Sequence, residues 1–162
     1  MIETRHRTTD PEKGTASAPL AQAFPTRSED EMGGVLSNLD RHAEALSAYE
    51  AATRRNPHDA LARIGQGNML LFLNRPAEAL AAYTEAARLA PTFALAYAGQ
   101  GIALRQLGRD QAAFDAYNQA IVLDPCFAPA YFGMGFVLLR LKRYWRALKV
   151  SQEAVRLEQR TS

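Results

Sequence analysis

The chain of 162 residues is poor in cysteine and has no long apolar run. Its one cysteine, Cys126, cannot form an internal disulfide, and this cysteine usage fits a reducing compartment. No stretch approaches the roughly 20 apolar residues that a membrane-spanning helix needs. Charges and prolines interrupt residues 1–31 throughout, so this stretch lacks the apolar core of a secretory signal. These absences predict a cytoplasmic protein.

The sequence also lacks the residue clusters that catalysis or metal binding requires. Its three histidines lie far apart and show no metal-ligand spacing. No histidine stands in an evident pairing with a candidate nucleophile such as Ser47, Ser151 or Cys126. We therefore expect a protein that is not an enzyme and that holds neither a metal nor a cofactor.

Charge of both signs is present, but its distribution is uneven. The formal net charge is +2. Residues 1–127 hold 12 Lys and Arg against 15 Asp and Glu, whereas residues 128–162 hold 7 against 2. The excess of positive charge is therefore gathered at the C-terminal end of the chain.

A period of 34 residues dominates the sequence. Proline recurs at this spacing at Pro57, Pro91 and Pro125. The other series are Gly65, Gly99 and Gly133; Gly67, Gly101 and Gly135; Leu39, Leu73, Leu107 and Leu141; Arg41, Arg75, Arg109 and Arg143; Ala45, Ala79, Ala113 and Ala147; Ala52, Ala86, Ala120 and Ala154; and Tyr49, Tyr83 and Tyr117, which Ser151 ends. A fixed period of this length indicates a repeat architecture.

Each period reads as two helices joined by a turn. In the third copy the pattern predicts a helix over 94–106, which Gly108 ends, and a second helix that Asp110 caps. Asp124-Pro125 stops that second helix, because proline disfavours helical geometry in the residue before it. The Gly-x-Gly triplets fall inside predicted helices, not in a strand–loop–helix context, so we expect close helix packing there and no phosphate site.

This pattern resembles the tetratricopeptide repeat family. The third copy carries the motif residues of that family at Tyr97, Gly101, Leu104, Ala113, Tyr117, Ala120 and Pro125. The resemblance implies an all-α, right-handed superhelical solenoid of about four antiparallel hairpins, with units 26–59, 60–93, 94–127 and 128–161. The first unit is degenerate, since Glu29 replaces a bulky residue and Gly33-Gly34 weakens its first helix. Residues 1–25, rich in small and polar residues, are predicted to form a disordered tail.

The resemblance also implies where a partner binds. In the family the first helix of each hairpin lines a concave groove, and some members clamp the C-terminal carboxylate of chaperones there. Here glycine or apolar residues occupy most of the clamp positions and only Asn68 matches, which disfavours that ligand. We expect a protein–protein interaction scaffold whose groove holds an apolar or amphipathic segment of a partner, with Phe72 and Leu139 among the inward residues. The alternative is that residues 1–25 or a second copy of the chain fill the groove. The candidate binding residues are Leu61, Ile64, Asn68, Leu71, Leu95, Ile102, Arg105, Phe132, Phe136 and Arg140.

The basic last unit offers an alternative. Aromatic residues interleave a dense run of positive charge there, as in some surfaces that bind nucleic acid or an anionic membrane. A charged cap on a stack of repeats explains the same pattern and is favoured, so nucleic acid and membrane are the less favoured partners. An exposed apolar stripe that includes Leu148 and Val155 would also allow a homodimer through the C-terminal helix. The candidate patch residues are Lys142, Arg143, Trp145, Arg146 and Lys149.

Overall fold

The computed structural model describes residues 41–161, which form α-helices joined by short turns and contain no strand. The helices are α1 His42–Arg55, α2 Ala60–Phe72, α3 Pro76–Leu89, α4 Ala94–Gln106, α5 Asp110–Leu123, α6 Ala128–Arg140 and α7 Tyr144–Thr161. Three hairpins, α2–α3, α4–α5 and α6–α7, coincide with the predicted units 60–93, 94–127 and 128–161. Helix α1 is the second helix of unit 26–59. The predicted tail 1–25 and the first helix of the first unit lie outside the described residues.

The turn inside each hairpin has the same backbone geometry. Asn74, Gly108 and Lys142 all adopt positive φ, at 56°, 74° and 57°. Just after the first of these, the Arg75 amide donates a hydrogen bond to the Leu70 carbonyl at 2.8 Å, and equivalent bonds close the other two turns. This is the Schellman arrangement that ends a helix with one residue in the left-handed region. The predicted helix end at Gly108 is therefore confirmed.

The helix starts differ from the prediction at one place. Asp59 caps α2 by accepting a hydrogen bond from the Ala62 amide at 2.9 Å. The predicted cap at Asp110 is wrong, because Arg109 holds the cap position of α5 and Asp110 is already helical. Its carboxylate instead reaches Arg140 of the next unit. A residue expected to stabilise one helix thus links two repeats.

The helices are arranged in two layers. The second helices α3 and α5 each pack between two first helices, and consecutive first helices also contact each other directly, α2 with α4 and α4 with α6. The contacts of α3 and α5 in this part of the chain are with first helices. The first helices therefore form the more closely spaced, inner layer of a right-handed solenoid, and the second helices form the outer layer.

Small residues hold the two layers together. Every member of the two predicted alanine series is buried, from Ala45 and Ala52 in α1 to Ala147 and Ala154 in α7. The largest fully buried side chains include Tyr83 and Tyr117. The sequence pattern predicts glycines where the helices of one hairpin cross, and the structure adds a second role for them. Half of the helical glycines lie between hairpins, against the tyrosine of the preceding unit.

Candidate functional site: the inner face of the first helices

Large exposed apolar side chains mark one side of the inner layer. The other exposed large apolar residues of the described range lie on α7, apart from Val122 on α5. Helices α1 and α3 expose none, so the distribution is not that of scattered surface residues. We call this surface the inner face; its exposed apolar residues are Leu61, Phe72, Leu95, Phe136 and Leu139.

The remaining apolar residues predicted for the groove lie deeper. Leu71, Ile102 and Phe132 are half-buried, and the first two pack against the core. Ile64 is only 3% exposed and belongs to the core cluster that also contains Leu46 of α1. A partner cannot contact a side chain that the neighbouring helix covers. The prediction that Ile64 contacts a ligand is therefore wrong, and its role is to support the face from below.

Asn68 is exposed on the inner face, and a buried side chain beneath it fixes its orientation. The buried Tyr83 hydroxyl donates a hydrogen bond to Asn68 Oδ1 at 2.6 Å. Burial raises the pKa of Tyr83 above its ordinary value of 10.0, so the hydroxyl stays protonated and acts as the donor. Because the amide oxygen is occupied, Asn68 presents its amide nitrogen, a hydrogen-bond donor, to the inner face.

Arg105 has the corresponding relationship with the tyrosine of the next unit. Burial raises the pKa of Tyr117, and the nearby guanidinium of Arg105 partly offsets this rise. Arg105 is itself half-buried. In two consecutive units a polar side chain predicted for the groove thus interacts with the buried tyrosine, through a hydrogen bond at Tyr83 and through its charge at Tyr117.

Arg140 closes the polar edge of the face. Its Nε lies 3.2 Å from Asp110 Oδ2, and its Nη1 donates a hydrogen bond to the Arg105 carbonyl at 3.1 Å. Arg140 is the last residue of α6, and Asp110 is the first residue of α5. The two cationic residues predicted for the groove are therefore brought together at the junction of the third and fourth units.

An aromatic contact at the other end of the face joins equivalent positions of two helices. The rings of His42 and Phe72 stack with centroids 4.4 Å apart and planes 9° from parallel. His42 begins α1 and Phe72 ends α2, as Asp110 begins α5 and Arg140 ends α6. The start of a second helix thus meets the end of the following first helix at both junctions. A spacing of 30 residues between the partners is the sequence signal for this pair.

The predicted basic patch forms a separate surface beside the start of α7. Its members Lys142, Arg143, Arg146 and Lys149 are all exposed, and Trp145 is 71% exposed. The first three and Trp145 line an open cavity of about 700 Å³ together with Tyr144. Within residues 41–161 no cluster of His, Cys, Asp or Glu has the make-up of a metal site. None of the described helices is long and apolar enough to cross a membrane.

Cys126, the one cysteine of the chain, is not part of the core. Its thiol is exposed in the turn that leads into α6. The Cys126 amide donates a hydrogen bond to Asp124 Oδ1 at 2.9 Å, so this turn is held by its backbone and not by burial of the sulfur.

Family models identify this arrangement of hairpins. Two models described as tetratricopeptide repeat match the chain, one over residues 35–92 and 64–125 and the other over residues 116–149. The chain belongs to the tetratricopeptide repeat family. A comparison with curated proteins found no significant match.

Solved tetratricopeptide repeat structures share the fold. MamA 41-end from Desulfovibrio magneticus RS-1 superposes with a TM-score of 0.74 at 23% identity, covering 86% of this chain and 80% of that one. TTC0263, a thermophilic tetratricopeptide repeat protein of Thermus thermophilus, gives 0.73 at 24% identity, covering 81% and 73%. The first tetratricopeptide repeat of Spaghetti (RPAP3), bound to the HSP90 peptide SRMEEVD, gives 0.68 at 19% identity, covering 70% and 90%.

Proposed function

We propose that this chain is a non-catalytic scaffold of the cytoplasm that binds an apolar or amphipathic segment of a partner protein on its inner face. The observation that carries the proposal is the concentration of exposed apolar side chains on α2, α4 and α6, with polar groups fixed among them. An exposed apolar surface that spans three repeats has an energetic cost in water unless a ligand covers it. Binding of a partner segment removes that cost.

The chemistry of the face defines the kind of segment. Leu61, Leu95 and Phe136 offer apolar contacts, and the amide nitrogen of Asn68 offers a donor to a ligand carbonyl. A segment with apolar residues at helical spacing would match such a surface. The RPAP3 neighbour with its bound HSP90 peptide supports peptide binding as a use of this fold. The clamp positions of this chain carry mostly glycine or apolar residues, so we propose a different class of ligand for it.

The test begins with peptides selected from a random display library against the immobilised full chain. We expect selected peptides to carry apolar residues at i, i+3 or i+4 spacing. The double variant Leu61→Glu, Phe136→Glu should weaken their binding by about tenfold or more, because it places two charges on the apolar contact surface. Fluorescence polarisation of labelled peptides measures the loss.

Val122→Glu is the matched control for this test. Val122 is 65% exposed, close to the 63% of Leu61 and the 60% of Phe136, but it lies on α5 away from the inner face. It should bind the selected peptides with the affinity of the wild type. Equal binding by wild type and the inner-face variant, or equal losses in both variants, would contradict the proposal. Affinity capture from lysate with the same three proteins then identifies the natural partner.

A second candidate function rests on the basic patch. Exposed Trp145 beside Lys142, Arg143 and Arg146 suits nucleic acid or an anionic membrane surface. Binding of this kind weakens steeply as salt rises from about 50 to about 200 mM, whereas apolar peptide binding changes little. Titrations with an oligonucleotide and with vesicles containing phosphatidylserine, each at both salt concentrations, separate the two functions. Arg146→Glu with Lys149→Glu should abolish only the salt-sensitive binding.

A further inference from the structure

The junctions between consecutive units follow one rule. The second helix of a unit packs on the first helix of the next, as α3 packs on α4 and α5 on α6. At each junction the tyrosine of the second helix lies on a glycine of the following first helix. A Cβ built on that glycine would lie 2.3 Å from the ring in all three cases, Tyr49 with Gly65, Tyr83 with Gly99 and Tyr117 with Gly133. The face of α1, α3 and α5 that carries the tyrosine is thus a docking surface for the first helix of the next unit.

Helix α7 presents this docking surface without a first helix on it. Tyr144, Leu148 and Val155 share one stripe of α7 and are 63%, 47% and 46% exposed. Leu46, three periods before Leu148, is 6% exposed, and Ala87, two periods before Val155, is 8% exposed. Leu80 and Phe114, at the position of Leu148, and Ile121, at the position of Val155, are half-buried. The positions that a neighbouring unit covers inside the array are therefore open, and apolar, at its C-terminal end.

The charge beside this stripe indicates what kind of helix fits it. Lys149 and Arg156 each follow a residue of the stripe by one position and are exposed, and Lys142 and Arg143 precede α7. Arg156 also lies 3.8 Å from Glu153. An antiparallel symmetric contact between two α7 helices would place like charges against each other, because it brings the same flank of each helix together. The surface instead matches an acidic segment that has the register of a first helix.

Residues 26–40 of the chain itself have both properties. They carry four acidic residues and one basic residue, for a net charge of −3, and the 34-residue period predicts that they form the first helix of the first unit. In the described hairpins a first helix has second helices on both sides, as α4 has α3 and α5. A predicted first helix with this charge is the kind of segment that the stripe of α7 would accept from a second copy.

The side-chain sizes at this contact are also complementary. The position of Gly65, Gly99 and Gly133 is occupied by Glu31 in the first unit. A tyrosine facing Glu31 would overlap with it, as the 2.3 Å distances at the internal junctions show. The last unit has Ser151 in place of tyrosine, which leaves room for a larger residue. Ser151, the exception in the tyrosine series, therefore leaves space at this contact for Glu31, the exception in the glycine series.

We propose that the exposed stripe of α7 docks residues 26–40 of a second copy, so that copies associate head to tail in the register of the internal junctions. This inference is independent of the inner face and of its ligand. Because the contact is heterologous, each copy keeps one free surface of each kind, and association continues beyond the dimer. The mass of the species in solution should therefore rise with concentration without stopping at two copies.

Two complementary variants of the full chain test the proposal. Leu148→Glu with Val155→Glu removes the stripe and leaves residues 26–40 intact. Glu29→Lys, Asp30→Lys and Glu31→Lys together reverse the charge of the segment and leave the stripe intact. Sedimentation velocity should show each variant alone as a monomer at concentrations where the wild type associates. An equimolar mixture should form a dimer that grows no further, since only one productive contact remains.

The controls and the contrary outcomes are distinct. Val122→Glu, an equal change outside the stripe, should associate as the wild type does, and circular dichroism checks that each variant is folded. A wild type that is monomeric at all concentrations overturns the proposal. A triple-lysine variant that still dimerises shows a symmetric α7 contact and overturns it too. A mixture that remains monomeric does the same, because it shows that the stripe and the segment do not meet.

Discussion

The ring of Tyr117 occupies the space that a side chain on Gly133 would need: a Cβ there would lie 2.3 Å from Tyr117 Cε1. On its other side a Cβ on Gly101 would lie 2.8 Å from the same ring. Tyr117 is 1% exposed, so it has no open space into which to move. One buried tyrosine thus fixes the distance both within its own hairpin and to the next hairpin.

This relationship predicts that Gly133→Ala destabilises the fold. Glycine in a helix interior costs about 1 kcal/mol relative to alanine, so helix propensity alone would favour the change. Overpacking a core costs about 1–3 kcal/mol, and here the obstructing ring is held on both sides. We expect a net loss of up to about 2 kcal/mol in the free energy of unfolding. Urea denaturation followed by far-UV circular dichroism measures it.

Gly135→Ala, in the same helix α6, is the control for this change. The nearest atom to a Cβ there is Ser151 Oγ at 2.8 Å, a hydroxyl that can rotate away, and the next is the Ala147 carbonyl at 3.9 Å. This variant should be neutral or stabilised by up to about 1 kcal/mol. If both alanine variants shift the urea midpoint equally, the tyrosine does not set the spacing of the helices.

Asn68 and Tyr83 should prove energetically coupled. Asn68→Ala leaves the Tyr83 hydroxyl without its side-chain partner, which costs about 1 kcal/mol for a hydrogen bond of this kind. In the background Tyr83→Phe the same change should have almost no effect, because no hydroxyl is left to satisfy. A double-mutant cycle of urea unfolding measures the coupling. Additive effects of the two changes would mean that the bond contributes no stability.

Much of the fold is predictable from the sequence, because the repeat imposes the same constraint several times. The helix over 94–106 and the turn at Gly108 follow from local signals that tertiary contacts do not override. The cap at Asp110 could not be predicted in the same way. Its carboxylate could bond either to the start of its own helix or to a distant cation, and the position of Arg140 decides in favour of the cation.

The sequence predicts which helix face forms the candidate site, but not how deeply each side chain of that face is buried. The resemblance assigns Leu61, Ile64 and Phe136 alike to the groove, because all three lie on the side of a first helix that faces the groove. Leu61 and Phe136 are exposed, whereas Ile64 belongs to the core cluster that includes residues of α1. How closely a neighbouring helix covers a given side chain depends on packing between units, which periodicity does not contain.

The raised pKa of Tyr83 predicts a loss of stability in alkali. Its phenol is protonated in the folded state above the pH at which an unfolded tyrosine, with an ordinary pKa of 10.0, releases its proton. The folded state then binds more protons than the unfolded state, so the free energy of unfolding falls as pH rises above about 10. Each such tyrosine contributes a slope of about 1.4 kcal/mol per pH unit.

Tyr83→Phe provides the measurement for this prediction. Urea midpoints of wild type and variant, compared from about pH 9 to about pH 11, should converge as pH rises, because the variant lacks one ionisable phenol. Tyr117 has its pKa raised by burial too, so the variant should keep part of the alkaline loss. Parallel midpoints over this range would show that Tyr83 ionises equally in both states.

Asp110 and Arg140 should contribute a small, salt-sensitive coupling between the third and fourth units. Their side chains are 18% and 48% exposed, and pairs near the surface contribute about 0.2–1 kcal/mol. A double-mutant cycle with Asp110→Ala and Arg140→Ala should give a coupling in this range at low salt. Near 1 M salt, where the Debye length is about 3 Å, the coupling should shrink towards zero. The ion pair between Arg75, the cap residue of α3, and Glu78 serves as the comparison. Its removal should change the stability of α3 without changing the coupling between the third and fourth units. A coupling between Asp110 and Arg140 that persists at high salt would instead assign the link to the hydrogen bond from Arg140 to the Arg105 carbonyl.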